Sequence, residues 1–91
     1  MSLENNNINS SDISLFLNPT ENSVTLRNPF LIDLENIKIF DINGRLMQSK
    51  VINKDPKLYE VELNISDFES GIYLFVIESE KGKLVKRIVK N

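Results

Sequence analysis

Two glutamates, Glu60 and Glu62, have the type and spacing that acid–base chemistry between paired carboxylates requires. They alternate with Tyr59, Val61 and Leu63, so a strand would place both carboxylates on one face and the apolar side chains on the other. The pattern predicts that Tyr59, Val61 and Leu63 face the core. Because no other segment supplies a cleft around the carboxylates, the two glutamates indicate a solvated strand face rather than a catalytic pair.

The segment "IFDING" (39–44) is similar to part of the calcium loop D-x-[DN]-x-[DN]-G. When the two are aligned on Gly44, Ile39 occupies the first ligand position and Lys50 stands where the bidentate glutamate is needed. Neither side chain can supply an oxygen ligand. Asn43 and Gly44 are instead the pair that tight hairpins favour, because both tolerate the left-handed backbone region. The segment therefore predicts a hairpin turn and no metal site.

The composition excludes most other catalytic chemistry. The 91 residues include no histidine and no cysteine. This rules out Ser-His-Asp and Cys-His nucleophiles, zinc sites of imidazole or thiolate, and disulfides. The sequence has no G-x-x-x-x-G-K or G-x-G-x-x-G motif, and three glycines are too few for a phosphate-binding loop. We therefore expect a protein that is not an enzyme and binds no cofactor.

The basic residues are concentrated near one end of the chain. Residues 81–91 carry five basic groups and no acidic one, whereas residues 1–80 carry six basic and thirteen acidic groups. The five are Lys81, Lys83, Lys86, Arg87 and Lys90. Such a segment can bind an anionic partner, and lysines on an edge strand also discourage pairing between sheets. Nucleic-acid binding is disfavoured, because the segment lacks aromatic residues for base stacking.

Short strand-like runs separated by turn residues fill the chain from residue 13 to residue 91. Residues 1–12, rich in asparagine and serine, predict a flexible linker or a tail that begins with an expression-vector remnant. Seven strands are predicted, at residues 13–17, 23–28, 36–42, 45–52, 58–64, 72–79 and 83–90. Their spacing indicates an all-β, Ig-like Greek-key sandwich rather than a closed barrel. At most one short helical turn is expected, near residues 66–70, where Ser66 and Glu69 match a capping box.

The run from residue 72 to residue 77 is apolar at six consecutive positions. Such a run is typical of a central strand that is covered on both faces. The two tyrosines and five phenylalanines mostly occupy positions predicted to face inward. We therefore expect few exposed aromatic side chains.

Four segments follow one another in order between residues 14 and 90. They are "LNPTEN" (17–22), "IKIFDINGRLM" (37–47), "LNISDFESGIYLFVI" (63–77) and "KGKLVKRIVK" (81–90). Together they resemble the C-terminal sorting domain of the type IX (Por) secretion system, type A. Its members show a Pro-Asn-Pro-like start, an Asp- and Gly-containing hairpin, a Gly-Val-Tyr-like strand entry and a basic end. Leu17 departs from the pattern, since a proline often precedes the Asn-Pro pair.

The resemblance implies a non-catalytic signal at the C-terminus of a larger protein exported by Bacteroidota. The cargo would cross the inner membrane with a signal peptide on its missing N-terminal part. The folded domain would then be recognised at the outer membrane by the type IX translocon and usually cleaved by a sortase-like protease. The mature cargo would be secreted or held at the cell surface. The implied partners are the translocon, the protease and the upstream cargo domain, with no nucleic acid and no transmembrane segment.

The positions that match the family's motifs are Asn18, Pro19, Asp41, Gly44, Gly71, Tyr73, Lys86 and Arg87. We expect Gly44 and Gly71 to supply a positive φ or a close backbone approach, and Tyr73 to pack its ring and bond through its hydroxyl. Lys86 and Arg87 are adjacent on a strand, so they should project from opposite faces. Because no core needs either of them, the hypothesis is that the secretion machinery reads them.

Two other kinds of protein fit the same strands. A generic Ig- or fibronectin-like spacer or adhesion module needs nothing beyond the sandwich, and it would tolerate further domains after residue 91. A carbohydrate-binding module would present exposed aromatic platforms, yet the chain has no tryptophan. The order of the four segments favours the sorting domain over both alternatives.

Overall fold

The computed structural model describes residues 12–52 and 59–91, and every regular element in these ranges is a β-strand. The strands are β1 (Ser14–Asn18), β2 (Ser23–Arg27), β3 (Leu34–Asp41), β4 (Leu46–Val51), β5 (Glu60–Asn64), β6 (Gly71–Ser79) and β7 (Gly82–Lys90). The prediction of an all-β fold with seven strands is confirmed. Of the predicted linker at residues 1–12, only Asp12 is described. The division into linker and domain therefore stays a prediction.

The strands form two antiparallel sheets. One contains β1, β2 and β5 in that order, and the other contains β4, β3, β6 and β7. β2 pairs with β5 rather than with β3, and β3 pairs with β6, which are the crossed connections of a Greek key. In constant-type Ig domains the fourth strand joins the sheet of the first two, whereas here β4 pairs with β3. The predicted Ig-like Greek-key sandwich is confirmed.

Alternate residues of both sheets point between them and form one apolar core. Val24 and Leu26 of β2 lie directly opposite Leu63 and Val61 of β5, and all four are buried. The second sheet contributes the fully buried Ile37, Ile39, Phe75 and Ile77. Burying a side chain of this size stabilises a fold by roughly 1.5–3 kcal/mol. Since the chain has no cysteine, packing of this kind must hold the sandwich together.

A buried asparagine holds the loop between β2 and β3. Asn28 Nδ2 donates to the carbonyl oxygen of Ile32 at 2.9 Å, and Asn28 Oδ1 accepts from the Ile32 N–H at 3.0 Å. The backbone N–H of Asn28 donates to the carbonyl oxygen of Tyr59 at 2.7 Å. An amide side chain can donate and accept at once, so it bonds both polar groups of one residue in a loop where Pro29 has no N–H. The sequence predicts the end of a strand at residue 28 but not the role of Asn28.

Several aromatic side chains lie outside the core, which corrects two predictions. Tyr59 precedes β5, which begins at Glu60, and it is 55% exposed rather than inward-facing. Its carbonyl oxygen bonds to the loop residue Asn28, so the strand alternation does not extend to it. Phe16 and Phe30 are also exposed, and the buried aromatic residues are Phe68, Tyr73 and Phe75. The prediction that aromatic residues mostly face inward is therefore wrong.

The segment between β5 and β6 forms a hydrogen-bonded turn and no helix. The Phe68 N–H donates to the carbonyl oxygen of Ile65 at 3.0 Å. The Ser66 N–H, which a capping box would give to Glu69, donates instead to Asn64 Oδ1 at 2.8 Å. At most one short helical turn was expected near residues 66–70, and none forms, because Asn64, the last residue of β5, accepts the Ser66 N–H in place of Glu69.

β6 is a central strand, but the described part of the chain covers only one of its faces. Phe75 and Ile77 are buried against the other sheet. Ile72, Leu74 and Val76 point away from that sheet and are only partly buried. The prediction that both faces of this strand are covered is wrong, because the second sheet packs on one side only.

Candidate functional site

Asn18 and Pro19 end β1 and shape the turn into β2. The carbonyl oxygen of Asn18 accepts a hydrogen bond from the Glu21 N–H at 3.1 Å, which closes the turn. Asn18 Nδ2 donates to Thr25 Oγ1 at 2.9 Å on the neighbouring strand. Pro19 is exposed at the first corner of the turn, where its fixed φ is favoured. The main-chain carbonyl and the side-chain NH2 group of Asn18 are therefore used within the domain.

Asp41 and Gly44 build the hairpin between β3 and β4. Asp41 Oδ1 accepts from the backbone N–H groups of Asn43 and Arg45, both at 2.9 Å. The Asp41 carbonyl oxygen accepts from the Gly44 N–H at 3.0 Å. Gly44 has a φ of 85°, yet a Cβ at this position would meet no atom. The predicted hairpin is observed, and it requires the glycine for its backbone conformation rather than for a close approach.

The same hydrogen bonds favour the charged form of the Asp41 carboxyl. The backbone N–H of Arg45 has the largest influence and lowers the pKa of Asp41. Desolvation acts in the opposite direction. The Asn43 N–H lowers the pKa further, as does the Arg45 guanidinium, whose Nε lies 3.1 Å from Asp41 Oδ2. The lowered pKa follows from the turn geometry and gives no sign of acid–base catalysis.

Gly71 and Tyr73 form the entry into β6. The Tyr73 hydroxyl donates to the carbonyl oxygen of Glu69 at 2.6 Å, and its ring packs on Phe68 with centroids 4.9 Å apart. This resembles the tyrosine corner of Ig-like sandwiches, which fastens the start of a strand to the preceding loop. Gly71 has a φ of 155°, and a Cβ there would also meet no atom. The ring packing and the hydroxyl bond expected of Tyr73 are both observed.

Six of the eight predicted positions lie at one end of the sandwich. Asp41, at the end of β3, is directly opposite Tyr73 at the start of β6. The turn that follows Asn18 reaches the same end, because the Ile65 N–H donates to the carbonyl oxygen of Asn22 at 2.9 Å. The Asn-Pro turn, the hairpin and the strand entry are therefore neighbours in space.

Lys90 connects the end of β7 to the β5–β6 loop at this end of the sandwich. The sequence analysis did not predict this role. Its Nζ donates to the carbonyl oxygens of Ile65 at 3.1 Å and Phe68 at 2.5 Å. Lys90 shares its side of the strand with Leu84 and Ile88, so the period of two could have indicated its inward direction. Its backbone partners could not be read in this way, because they lie in an irregular loop.

Lys86 and Arg87 lie in the middle of β7, apart from the other six positions. Lys86 is half-buried on the core-facing side, opposite Phe75. Arg87 is exposed on the outer side, opposite Leu74. The two side chains project from opposite faces, as expected. Within residues 12–52 and 59–91 neither has a hydrogen-bond or ion-pair partner.

An open cavity of about 620 Å³ lies over the outer face of the three-stranded sheet. Glu60 and Glu62 share this face, as predicted, and both are engaged by neighbours. Arg27 Nε lies 2.9 Å from Glu60 Oε2, and Ser23 Oγ donates to Glu62 Oε2 at 3.0 Å. The guanidinium of Arg27 also lies 5.1 Å from the ring centre of Phe16. The polar groups of this face therefore form a cross-strand network with one another.

The described ranges contain no group of three or more acidic side chains that could hold a metal ion. In the same ranges, no helix is long and apolar enough to cross a membrane.

Comparison with solved structures defines the class of fold. A protein from Bacteroides vulgatus, described as a DUF3244 family protein with an immunoglobulin-like β-sandwich fold, aligns with a TM-score of 0.75 at 20% sequence identity. The alignment covers 88% of this chain and 85% of that chain. At this identity the similarity concerns the fold alone. The domain is thus an Ig-like β-sandwich similar to one found in the Bacteroidota.

A family model then identifies the particular group within that class. The model of the secretion system C-terminal sorting domain matches residues 14–91, a range that includes all seven strands. The chain belongs to this family, and the resemblance to the type IX (Por) sorting domain is confirmed. Membership supports a role as a sorting signal for secretion. Comparison with curated proteins found no match.

Proposed function

We propose that this domain is a non-catalytic signal that directs a covalently linked cargo protein across the outer membrane through the type IX secretion system. The observation that carries the proposal is the family match over residues 14–91. The partners would be the outer-membrane translocon and a sortase-like protease. The cargo would pass through the periplasm by means of its own signal peptide and would finish at the cell surface or in the medium.

The internal bonding of the motif residues supports a signal rather than an active site. Asn18, Asp41 and Tyr73 direct their polar groups to other atoms of the domain. Glu60 and Glu62 are engaged in the same way on the outer face of the three-stranded sheet. A catalytic acid or base must instead reach a substrate proton. These residues are better explained as those that maintain the shape that the machinery recognises.

Arg87 is the motif residue best placed to contact a partner. It is exposed on β7, and the core does not require it. Lys86 is less accessible, because it lies half-buried on the core-facing side. Replacing both by alanine in a cargo fusion should leave the domain folded and block export. Normal export of the folded double variant would contradict a role for these two residues in recognition.

The family match favours the sorting signal over two alternatives. A sugar-binding site needs an accessible aromatic platform; Arg27 covers one side of the Phe16 ring and pairs with Glu60, whereas Phe30 and Tyr59 are exposed. A spacer or adhesion module fits the fold equally well. It differs from a sorting signal in one testable respect, since a spacer should not export an unrelated protein.

A fusion experiment in a Bacteroidota host tests the proposal. A fluorescent reporter would carry a signal peptide at its N-terminus and residues 4–91 at its C-terminus. We expect the reporter at the surface or in the medium, and we expect this export to disappear when the translocon gene is deleted. A folded fusion that stays in the periplasm of the wild-type host would refute the proposal and favour the spacer.

A further inference from the structure

The outer side of the four-stranded sheet carries a continuous apolar surface. We call it the outer apolar face and define it by Phe40, Leu46, Leu74, Val76, Val85 and Val89. Leu46, Val85 and Val89 are about half exposed, at 50%, 53% and 48%. Single exposed apolar residues are ordinary, but a contiguous patch on a small domain marks an interaction surface.

The strand register makes this surface continuous. Phe40 of β3 lies opposite Leu46 of β4 on one side and Leu74 of β6 on the other. On the next strand, Val76 lies directly opposite Val85 of β7. Directly opposite side chains on antiparallel strands have Cβ atoms about 4.5–5.5 Å apart, so the members of each pair lie side by side.

Basic side chains border this surface. The cross-strand rows include Lys38, Lys83 and Arg87 but a single acidic residue, Glu78. Lys38 Nζ lies 3.6 Å from Glu78 Oε1, and Lys83 is directly opposite Glu78. Arg87 is opposite Leu74, within the apolar rows. The face therefore carries an excess of positive charge. A complementary partner would have an apolar centre with carboxylates around it.

We propose that the outer apolar face is the surface by which the folded domain docks on a protein of the export machinery, whose matching surface is apolar with acidic side chains at its border. This inference rests on the proposed sorting function and names the part of the domain that is recognised. Arg87 then acts together with the valines beside it, so recognition depends on a sheet face rather than on two basic residues.

The charge argues against a second copy of the chain as the occupant. Each copy carries three basic side chains and one acidic side chain around this face. Two copies stacked face to face would therefore repel each other electrostatically. Four strands of up to nine residues present a face of roughly 500 Å². A stable interface buries about 800 Å² per partner. A face of this size suits a transient contact, which a transported domain needs, better than a permanent dimer.

The composition of the face argues for a protein rather than a lipid surface. Peripheral membrane contacts commonly use tryptophan or tyrosine at the level of the headgroups. The six residues that define the face include neither. Apolar side chains around one arginine instead resemble the apolar core of a protein interface, where phenylalanine and arginine are enriched.

The test uses the reporter fusion with the double variant Val85→Glu/Val89→Glu. Burying two glutamates against an apolar, acidic-bordered partner is unfavourable, so we expect export to fall roughly tenfold or more, which corresponds to about 1.4 kcal/mol of lost binding. Phe16→Glu is the matched control, because Phe16 is a similarly half-exposed apolar residue, at 46%, on the outer side of the other sheet. The control should be exported normally. Urea unfolding of each purified 91-residue chain checks that the variants fold.

If the glutamate variant does not fold, Val85→Thr/Val89→Thr replaces it, since threonine keeps the β-branched shape and the strand preference. Equal export of a folded face variant and of the control would overturn the inference while the proposed function stands. Failure of the wild-type fusion would refute the proposed function itself.

Two further measurements test other occupants of the face. If the wild-type chain sediments as a dimer and the face variant sediments as a monomer, the face serves self-association. Valine-dependent binding to anionic phospholipid vesicles would assign it to a membrane, and either result would overturn a partner in the export machinery.

Discussion

The ammonium group of Lys90 lies 2.5 Å from the carbonyl oxygen of Phe68 and donates a hydrogen bond to it. A second bond from the same group reaches Ile65, so one side chain of β7 satisfies two carbonyl groups of the β5–β6 loop. Tyr73 anchors this loop from its other end through Glu69. The loop that leads into β6 is thus fixed by side chains of β6 and β7 rather than by regular pairing.

Lys90→Met should destabilise the domain by about 1–3 kcal/mol, because it leaves two partly buried carbonyl groups without their charged donor. The free energy of unfolding, measured by urea titration, checks this value. Lys86→Met is the matched control, since it changes a half-buried lysine on the same side of β7. We expect the control to change stability by less than about 0.5 kcal/mol. Equal effects of the two substitutions would contradict the role assigned to Lys90.

Tyr73→Phe should cost about 0.5–1.5 kcal/mol, the net contribution of one hydrogen bond, because the ring can keep its contact with Phe68 while the bond to Glu69 is lost. Tyr59→Phe removes a hydroxyl from an exposed ring and should be nearly neutral. Urea unfolding gives the free energy of unfolding of each variant, and we expect a decrease for Tyr73→Phe only. A neutral Tyr73→Phe would show that the hydroxyl bond contributes nothing.

Gly44→Ala should destabilise the β3–β4 hairpin by about 1–2 kcal/mol, since an L-residue with a Cβ is disfavoured at positive φ. The space around the glycine is open, so the cost comes from the backbone and not from a clash. Gly44→Asn should therefore cost less, because asparagine visits this region more readily. If thermal unfolding places the asparagine variant below the alanine variant, the conformational explanation is wrong.

The lowered pKa of Asp41 predicts a specific dependence of stability on pH. Because the pKa is lower in the folded state than in the unfolded chain, the stabilisation is fully present above the ordinary value of about 3.9. It is lost as the pH falls through the folded value. Asp41→Asn keeps an oxygen acceptor for the two backbone N–H groups but removes the charge. The variant should therefore lose less stability than the wild type on acidification below about pH 4.

Denaturant titrations at several pH values measure this difference, with Asp67→Asn as the control at an exposed aspartate. Parallel pH profiles for the wild type and Asp41→Asn would contradict a link between this carboxylate and folding.

The strands and the tight turns could be predicted from the sequence, because they depend on local rules. The alternation of Val61 and Leu63 with Glu60 and Glu62 correctly separates core from solvent. Gly44 follows from the backbone that the hairpin needs. The prediction for Tyr59 is wrong, because the alternation of residue types begins one residue before β5 does. At Tyr59 the chain is not yet part of the strand, and its carbonyl oxygen bonds to Asn28 in the loop.

Features that depend on distant parts of the chain could not be predicted. Lys90 bonds to carbonyl groups more than twenty positions away, and nothing in its own strand specifies them. The partial exposure of Leu74 and Val76 on the outer side of β6 could not be predicted either. A continuous apolar run in the sequence does not show whether the second face of the strand is covered by the same domain or by a partner. The outer apolar face therefore emerges only from the pairing of the strands.

The crossed connection between β2 and β5 has a consequence for the order of folding. Ser23 and Glu62 are 39 positions apart in the chain, yet they are joined by a hydrogen bond across these strands. Sandwiches with such distant pairings fold in milliseconds to seconds, far more slowly than hairpins form. The β1–β2, β3–β4 and β6–β7 hairpins should therefore appear first, and the distant β2–β5 and β3–β6 pairings should close last. During that interval the inner sides of the hairpins are open to solvent, so the apolar core is protected from water only after the two distant pairings have closed.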